Sequence, residues 1–172
     1  KGMFRAMRRK QQALSQEDCE AVLHQGTSGV LALSGDDDYP YAVPISYVYD
    51  GSKLYFHSAK SGHKLDFIKR HPKASFCIIG RDQVEPEEYT TYFQSVIVFG
   101  TIRILEDDKE KWAAIEKLAV KYAPNDTAEN RRGIIEREWI PLCMLEMTPE
   151  HISGKEAAEL AKEKHTDEKK RV

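Results

Sequence analysis

Residues 41–58 constrain the fold of this chain more than any other segment. Residues 41–49 are rich in β-branched and aromatic side chains, Asp50-Gly51 is a tight-turn signal, and residues 53–58 form a second strand-like run. Two such runs joined by a glycine-containing turn are typical of a β-hairpin, whose strands are antiparallel. We therefore expect an antiparallel sheet.

Further strand-like runs occupy residues 29–33, 74–79, 91–105 and 142–147, with a polar loop expected after Gly80. Gly100 interrupts the longest run at a point where a strand could bulge or bend around a barrel corner. About six strands result. They do not alternate regularly with helices, which argues against a doubly wound parallel sheet and favours an antiparallel barrel with attached helices.

Helix signals lie between and after these strands. Ser15 and Asp18 predict a capped helix that ends near residue 25, with Gly26 as a left-handed stop. Further helices are predicted over residues 64–70, 107–122 and 128–138. Ser153 and Glu156 form a second capping-box pattern, which predicts a C-terminal helix with a frayed end over residues 165–172.

Length and composition indicate one globular domain. The chain has 172 residues, of which 41% are hydrophobic and 31% charged, and such values are typical of a single folded domain. We expect an N-terminal arm over residues 1–14, the main domain over residues 15–150, and a C-terminal helix and tail over residues 151–172.

Charge, hydropathy and cysteine usage exclude several classes of partner. The formal net charge is −2, whereas nucleic-acid binding usually requires a basic excess. No apolar run approaches the ~20 residues of a membrane span, and the first residues contain no apolar signal region. The three cysteines form no CxxC pair, which favours a reducing cytoplasm.

Residues 57–64 have the composition of an anion site, because they lie between a predicted strand end and a predicted helix start. Helix N-terminal N–H groups are unpaired and the macrodipole attracts negative charge. Gly62 permits close backbone approach, and His63 and Lys64 add donors. A terminal phosphate fits this pattern. An ordinary loop with a solvated lysine remains the alternative, and no nucleotide-triphosphate or dinucleotide glycine motif is present.

Pro44 lies inside a predicted strand, where it cannot donate to a β-ladder. It therefore marks an edge or an interrupted pairing, and neighbouring backbone groups could serve a ligand with a polar edge. An edge strand without a ligand is the alternative.

The histidines do not form a metal-binding pattern. His57, His63 and His71 lack the spacing and the nearby carboxylate of a zinc motif such as HExxH, so we expect no metal. No GxSxG elbow or Cys–His pair supports hydrolysis.

Eight short segments spread along the chain together form a specific pattern. They are residues 7–10, 26–32, 39–47, 55–59, 62–64, 90–93, 95–100 and 154–155. With this pattern the chain resembles the pyridoxamine 5′-phosphate oxidase-like flavoproteins, and more closely their Nim-type branch, the nitroimidazole-resistance relatives. The resemblance covers nearly the whole chain.

The resemblance implies a mainly β fold with attached helices: a six-stranded antiparallel split β-barrel of the FMN-binding type. It also implies a homodimer that binds FMN in grooves at the subunit interface. The barrel argument agrees, because a barrel of this size is filled by its own side chains and holds a cofactor outside.

The resemblance assigns flavin contacts by position. They are Val43, Pro44, Ile45, Ser46 and Tyr47 along the isoalloxazine through backbone groups, His57 and Ser58 beside the ring and ribityl chain with Ala59 next to them, His63 and Lys64 at the phosphate, and Ser95.

The chain departs from the pyridoxamine oxidases proper at two points. His63 replaces an arginine of their phosphate-binding pair, and the basic C-terminal segment that grips the substrate phosphate is absent. We therefore do not expect pyridoxamine phosphate as the substrate.

In the Nim-type relatives, the histidine that matches His57 is implicated in substrate binding. The resemblance thus implies a flavin-dependent oxidoreductase that reduces a small, flat, electron-poor compound, with His57 as the catalytic residue and Trp139 as a cap from the partner subunit or a structural tryptophan. A non-catalytic flavin-binding or interaction module, or a barrel that holds haem or a deazaflavin, remains the alternative.

Overall fold

Seven strands and five α-helices follow one another along residues 3–170, the range that the computed structural model describes. The strands are β1 (Ser28–Ser34), β2 (Pro40–Ser46), β3 (Val48–Tyr49), β4 (Leu54–Ala59), β5 (Lys73–Glu85), β6 (Thr90–Ile104) and β7 (Leu142–Glu156). The helices are α1 (Gln16–Gln25), α2 (His63–Arg70), α3 (Asp108–Tyr122), α4 (Ala128–Glu138) and α5 (Ala158–Lys170). None of these helices is long and apolar enough to cross a membrane.

The strands form one antiparallel sheet in the order β2-β1-β5-β6-β7-β4-β3. Its two edge strands, β2 and β3, are consecutive in the chain and are separated only by Tyr47. The sheet must therefore curl until its edges approach each other, although no ladder pairs β2 with β3 in the described residues. The mainly β split barrel is thus confirmed, with its barrel left open.

The sheet has seven strands, and not the expected six, because the predicted strand over residues 41–49 is divided at Tyr47. The Tyr47 side chain is fully buried, and its amide donates to Thr27 O at 3.3 Å. As a result β2 pairs with β1, and the predicted hairpin is confirmed only where Val48 and Tyr49 pair with β4.

The polar loop expected after Gly80 is wrong. β5 continues to Glu85 and pairs with β6 from Thr90 onward, so residues 81–94 form a two-stranded ribbon. Ladder hydrogen bonds hold this ribbon together although its side chains are mostly polar, and the Arg81 guanidinium lies 5.4 Å from the Tyr92 ring centroid. The predicted irregularity at Gly100 is confirmed, because the register with β7 shifts between Phe99 and Gly100.

The helix predictions hold for the first four helices, except for the conformation expected at Gly26. The Ser15 hydroxyl accepts from the Asp18 amide at 3.1 Å, as its capping pattern predicts. Gly26, however, has an extended backbone conformation, with φ −65° and ψ 148°, and is not left-handed. A glycine is needed there for space, since an added Cβ would lie 2.5 Å from the Tyr47 hydroxyl.

The second capping box is wrong, because Ser153 and Glu156 belong to β7 and pair with β6. The buried Glu156 carboxylate accepts from Gln94 at 3.2 Å and forms an ion pair with Lys164 at 3.0 Å. The Glu156 carboxylate therefore binds side chains inside the fold and does not cap a helix. The prediction of a frayed end over residues 165–172 is also wrong for residues 165–170, which belong to α5. Residues 171–172 lie outside the described residues.

The interior of the curled sheet is filled by its own side chains, including Leu31, Phe56, Phe76 and Val98. A second apolar cluster lies between α3 and the other face of β4 and β7, where Tyr55 contacts Ala114, Leu118 and Met144. Because the interior is packed, a sizeable ligand must bind outside the barrel.

Candidate functional site

β2 is an edge strand, hydrogen-bonded to β1 on one side only. Val43 and Ile45 are half-buried and pack against the core, whereas Pro44 is exposed on the opposite face and Ser46 shares that face by alternation. The side chains of Val43 and Ile45 point inward, and the backbone groups along the open edge of β2 are unpaired by any strand of the described residues.

Tyr47 fixes the end of β2. Its hydroxyl donates to Leu23 O at 2.7 Å, and the Lys121 ammonium lies 4.3 Å from the ring centroid while donating to Gly26 O. Burial raises the pKa of the Tyr47 phenol and lowers that of the Lys121 ammonium. The Tyr47 side chain is therefore structural, and only its backbone is available to a ligand.

His57, Ser58 and Ala59 form the carboxyl end of β4 and pair with Met144, Cys143 and Leu142 of β7. His57 and Ala59 are exposed, and Ser58 is half-buried. Among residues 3–167, whose side chains the structure describes, none makes a hydrogen bond, ion pair or ring contact with the His57 imidazole. It is available to a ligand.

The N-terminus of α2 has no side-chain cap. Ser15, Asp107 and Thr127 each cap their own helices by accepting from a first-turn amide. Gly62 has no side chain to do so, its φ is +133°, and a Cβ there would meet nothing within 4 Å. Open space therefore faces the unpaired first-turn N–H groups of α2, where an anion is stabilised.

Two aromatic contacts join this helix start to β2. The Tyr41 ring centroid lies 6.3 Å from that of His63 and 5.1 Å from that of Phe67. His63 is exposed, and the half-buried Lys64 has no hydrogen-bond or ion-pair partner within the described part of the chain. The structure thus brings the β2 edge and the predicted anion site together. Sequence reasoning missed Tyr41, whose signal was an aromatic residue at the start of the same β-rich run.

Ser95 is not brought to β2 within one chain. It lies on β6, paired with Ile79 and Lys155. β1 and β5 separate β6 from β2, which corresponds to roughly 14 Å across the sheet.

An apolar row crosses four neighbouring strands on one face of the sheet, and Ser95 lies on the same face. We call this row the outer sheet face. It consists of Ile79 and of four residues paired in succession across the strands: Pro44, Val30, Cys77 and Ile97. Val30 is 38% exposed, Ile97 39% and Ile79 67%. Val96 and Val98, which alternate with these residues on β6, point into the core.

Trp139 contacts residues of its own chain. The Lys111 ammonium donates to Trp139 O at 2.9 Å and lies 4.0 Å from the centroid of the Trp139 ring. The Trp112 ring centroid is 5.5 Å away. At the end of α4, Trp139 therefore packs against α3 of its own chain.

The sequence profile of the pyridoxamine 5′-phosphate oxidase family matches residues 15–156. That match, together with the split barrel, defines the class: the chain belongs to this family.

Three solved structures share the fold. A protein from Bacteroides thetaiotaomicron, described as a 5-nitroimidazole antibiotic resistance protein, is 17% identical with a TM-score of 0.71, over 83% of this chain and 85% of its own. An FAD-binding protein from Mesorhizobium loti is 24% identical with a TM-score of 0.64, over 85% and 97%. An FAD- and haem-binding protein from Mycobacterium smegmatis is 19% identical with a TM-score of 0.68, over 87% and 74%.

Proposed function

We propose that this chain binds FMN in a groove at the interface of a homodimer and uses it to reduce a small, flat, electron-poor compound such as a nitroaromatic. The observation that carries this proposal is the uncapped start of α2, with open space beside Gly62 and an unpaired Lys64, tied through Tyr41 to the free edge of β2. The residues present fit a flavin phosphate, because uncapped N–H groups and an ammonium are the donors that such an anion requires.

The flavin ring lies along the β2 edge, where backbone groups of residues 43–47 meet its polar rim. Val43 and Ile45 anchor this strand on the core, and Tyr47 holds its end through Leu23 and Thr27. A site built on a fixed strand orients a planar ligand with little entropy loss.

A second copy of the chain completes the groove. The outer sheet face exposes apolar side chains that a partner would cover, and homodimers commonly bury such a self-complementary patch. Ser95 is too far from β2 to reach the flavin of its own subunit, so in the dimer it contacts the flavin bound mainly by the partner subunit.

When bound and reduced, the flavin supplies the electrons for the reaction. The exposed His57 imidazole donates a proton or a hydrogen bond to the negative charge that develops on the substrate. All three thiols are free, which suits a reducing cytoplasm.

A split barrel that holds another cofactor is the second candidate. The similarity to an FAD- and haem-binding protein favours it, and haem would give a Soret band that FMN does not.

The experiment that separates an enzyme from a binding module is stopped-flow oxidation of the reduced flavoprotein by a nitroimidazole. We expect the protein to transfer electrons faster than free reduced FMN at the same concentration. Equal rates would show that the chain binds flavin without catalysing this reaction.

A further inference from the structure

A cavity of about 450 Å³ lies between the N-terminal arm and the sheet, next to the turn that joins β1 to β2. Its lining includes Met3 and Phe4 of the arm, and Tyr39 and Pro40 at the start of β2. Along β2, Pro40 is three residues from Val43, which corresponds to roughly 10 Å. The cavity is therefore separate from the strand edge along which we propose that the flavin binds.

Aromatic rings hold the arm against the sheet and line this cavity. The Phe4 ring centroid lies 4.8 Å from that of His151, with 10° between the ring planes, and 5.4 Å from that of Phe99, with 19°. Phe4 and Phe99 both line the cavity and are half-buried, so part of each ring stays accessible. Tyr39, which is 76% exposed, adds a third ring. A planar aromatic ligand can pack against such rings.

The charged groups that line the cavity favour a cation. Asp38 is one of them, and its carboxylate has no hydrogen bond or ion pair among the described residues. Glu150, by contrast, lies 3.9 Å from the Lys73 ammonium and accepts from the Thr101 hydroxyl at 2.6 Å. The lining thus contains two carboxylates and one ammonium, which leaves a formal charge of −1 with His71 neutral. A positively charged ligand would compensate the unpaired Asp38.

An uncommon backbone conformation holds Asp38 at the cavity. Asp37 and Asp38 have φ values of +53° and +62°, which residues other than glycine rarely adopt. Contacts of the preceding residue fix the loop, because the Asp36 carboxylate pairs with Arg70 at 2.7 Å and the Tyr39 amide donates to Asp36 O at 3.0 Å. Left-handed residues that their surroundings hold in place are frequent at ligand sites.

We propose that this cavity binds a small planar aromatic cation, such as a protonated aromatic amine or an amidine. The ligand ring lies against Phe4 and Phe99, whose faces attract a cation. Its cationic group forms a charge-assisted hydrogen bond with Asp38. Ser34 and Ser75 also line the cavity, and their hydroxyls, which have no partner in the described part of the chain, accept the remaining N–H groups. This site goes beyond the proposed flavin function and does not depend on it.

The test is an NMR titration of the protein with benzamidine, an aromatic cation, and with benzoate, an aromatic anion of similar size. We expect benzamidine to bind with a Kd of about 1 mM or lower, as a ligand of its size allows. Benzoate should bind at least about tenfold more weakly. Asp38→Asn, which removes the charge, and Phe4→Ala, which removes one aromatic wall, should each weaken benzamidine binding about tenfold.

Asp37→Asn is the matched control. Asp37 is the neighbour of Asp38 and shares its left-handed φ, but it is not among the described residues that line the cavity. Asparagine tolerates this backbone conformation, so both variants should fold. Asp37→Asn should leave the Kd of benzamidine within about twofold of the wild type.

Absence of benzamidine binding up to about 10 mM would overturn this proposal, and a partner subunit that fills the cavity would give the same result. Equal affinities for benzamidine and benzoate would overturn it, as would equal losses in Asp38→Asn and Asp37→Asn, because the Asp38 carboxylate would then have no specific role. Displacement of benzamidine by FMN would also overturn it, since benzamidine would then occupy the flavin groove. Failure of FMN itself to bind would contradict only the proposed function.

Discussion

Lys64 and His57 have no hydrogen-bond or ion-pair partner within the described chain, whereas several nearby cations do. Arg70, on the same helix as Lys64, forms an ion pair with Asp36 at 2.7 Å, and Lys53, on the hairpin before β4, contacts Glu146 at 3.2 Å. An unpaired ammonium at an uncapped helix start and an unpaired imidazole at a strand end have donors free for a ligand. Both residues were expected from the sequence, because their positions between a strand and a helix could be read from local patterns.

Lys64→Ala should weaken FMN binding by roughly tenfold to a hundredfold, the cost of one charge-assisted hydrogen bond to phosphate. Riboflavin has no phosphate, so its affinity should stay within about twofold. Fluorescence titration with both ligands measures this difference. Lys69→Ala, an exposed lysine in the last turn of the same helix, is the control; an equal loss of FMN and riboflavin in Lys64→Ala would show that Lys64 does not contact the phosphate.

His57→Ala should retain FMN affinity and slow oxidation of the reduced flavin by a nitroimidazole by about 10²-fold, the usual contribution of a positioned proton donor. Stopped-flow absorbance follows the reaction directly. If the variant reacts as fast as the wild type, His57 has no role in the chemistry.

At the scale of elements, the sequence predicted what local patterns encode and missed what distant contacts decide. The caps at Ser15 and the bounds of α4 follow from neighbouring residues. The division of one predicted strand into β2 and β3 depends on Tyr47 reaching Leu23, a contact between residues far apart in the chain. Similarly, backbone hydrogen bonds pair β5 with β6 in the ribbon. The polar side chains of this segment have no hydrophobic pattern from which a strand could be predicted.

Tyr47→Phe should lower the free energy of unfolding by about 1–3 kcal/mol, because the buried Leu23 carbonyl loses its donor. Urea unfolding measures the change. Tyr39→Phe is the matched control, since Tyr39 is 76% exposed and has no side-chain hydrogen bond in the described range; it should change the free energy of unfolding by less than about 0.5 kcal/mol. Equal effects of the two variants would show that the hydrogen bond from the Tyr47 hydroxyl to Leu23 O contributes little to stability.

At the scale of the whole molecule, the proposed flavin groove requires the assembly of two copies of the chain. An antiparallel barrel with attached helices and a packed interior could be predicted from strand number and chain length, and the family resemblance implied that the barrel is split. Ser95 could be assigned to the flavin only through the family resemblance, and within one chain β1 and β5 separate it from β2. To place Ser95 near a flavin one must know where a second copy of the chain lies, and no local sequence pattern contains that information.

Ile97→Glu should dissociate the proposed homodimer, because it would bury a charge in the centre of the outer sheet face. Light scattering gives the mass in solution. Ile134→Glu on α4 is a matched control, with 40% exposure against 39% for Ile97, and should leave the dimer intact. A dimer that survives Ile97→Glu would place the interface elsewhere.

Calorimetric titration of the purified protein with FMN, in parallel with riboflavin, tests the binding of a flavin phosphate most directly. We expect one FMN bound per chain and riboflavin bound at least about tenfold more weakly, because the donors at Gly62 and Lys64 act on the phosphate. Absence of FMN binding, or equal affinity for the two ligands, would contradict the flavin site at the start of α2.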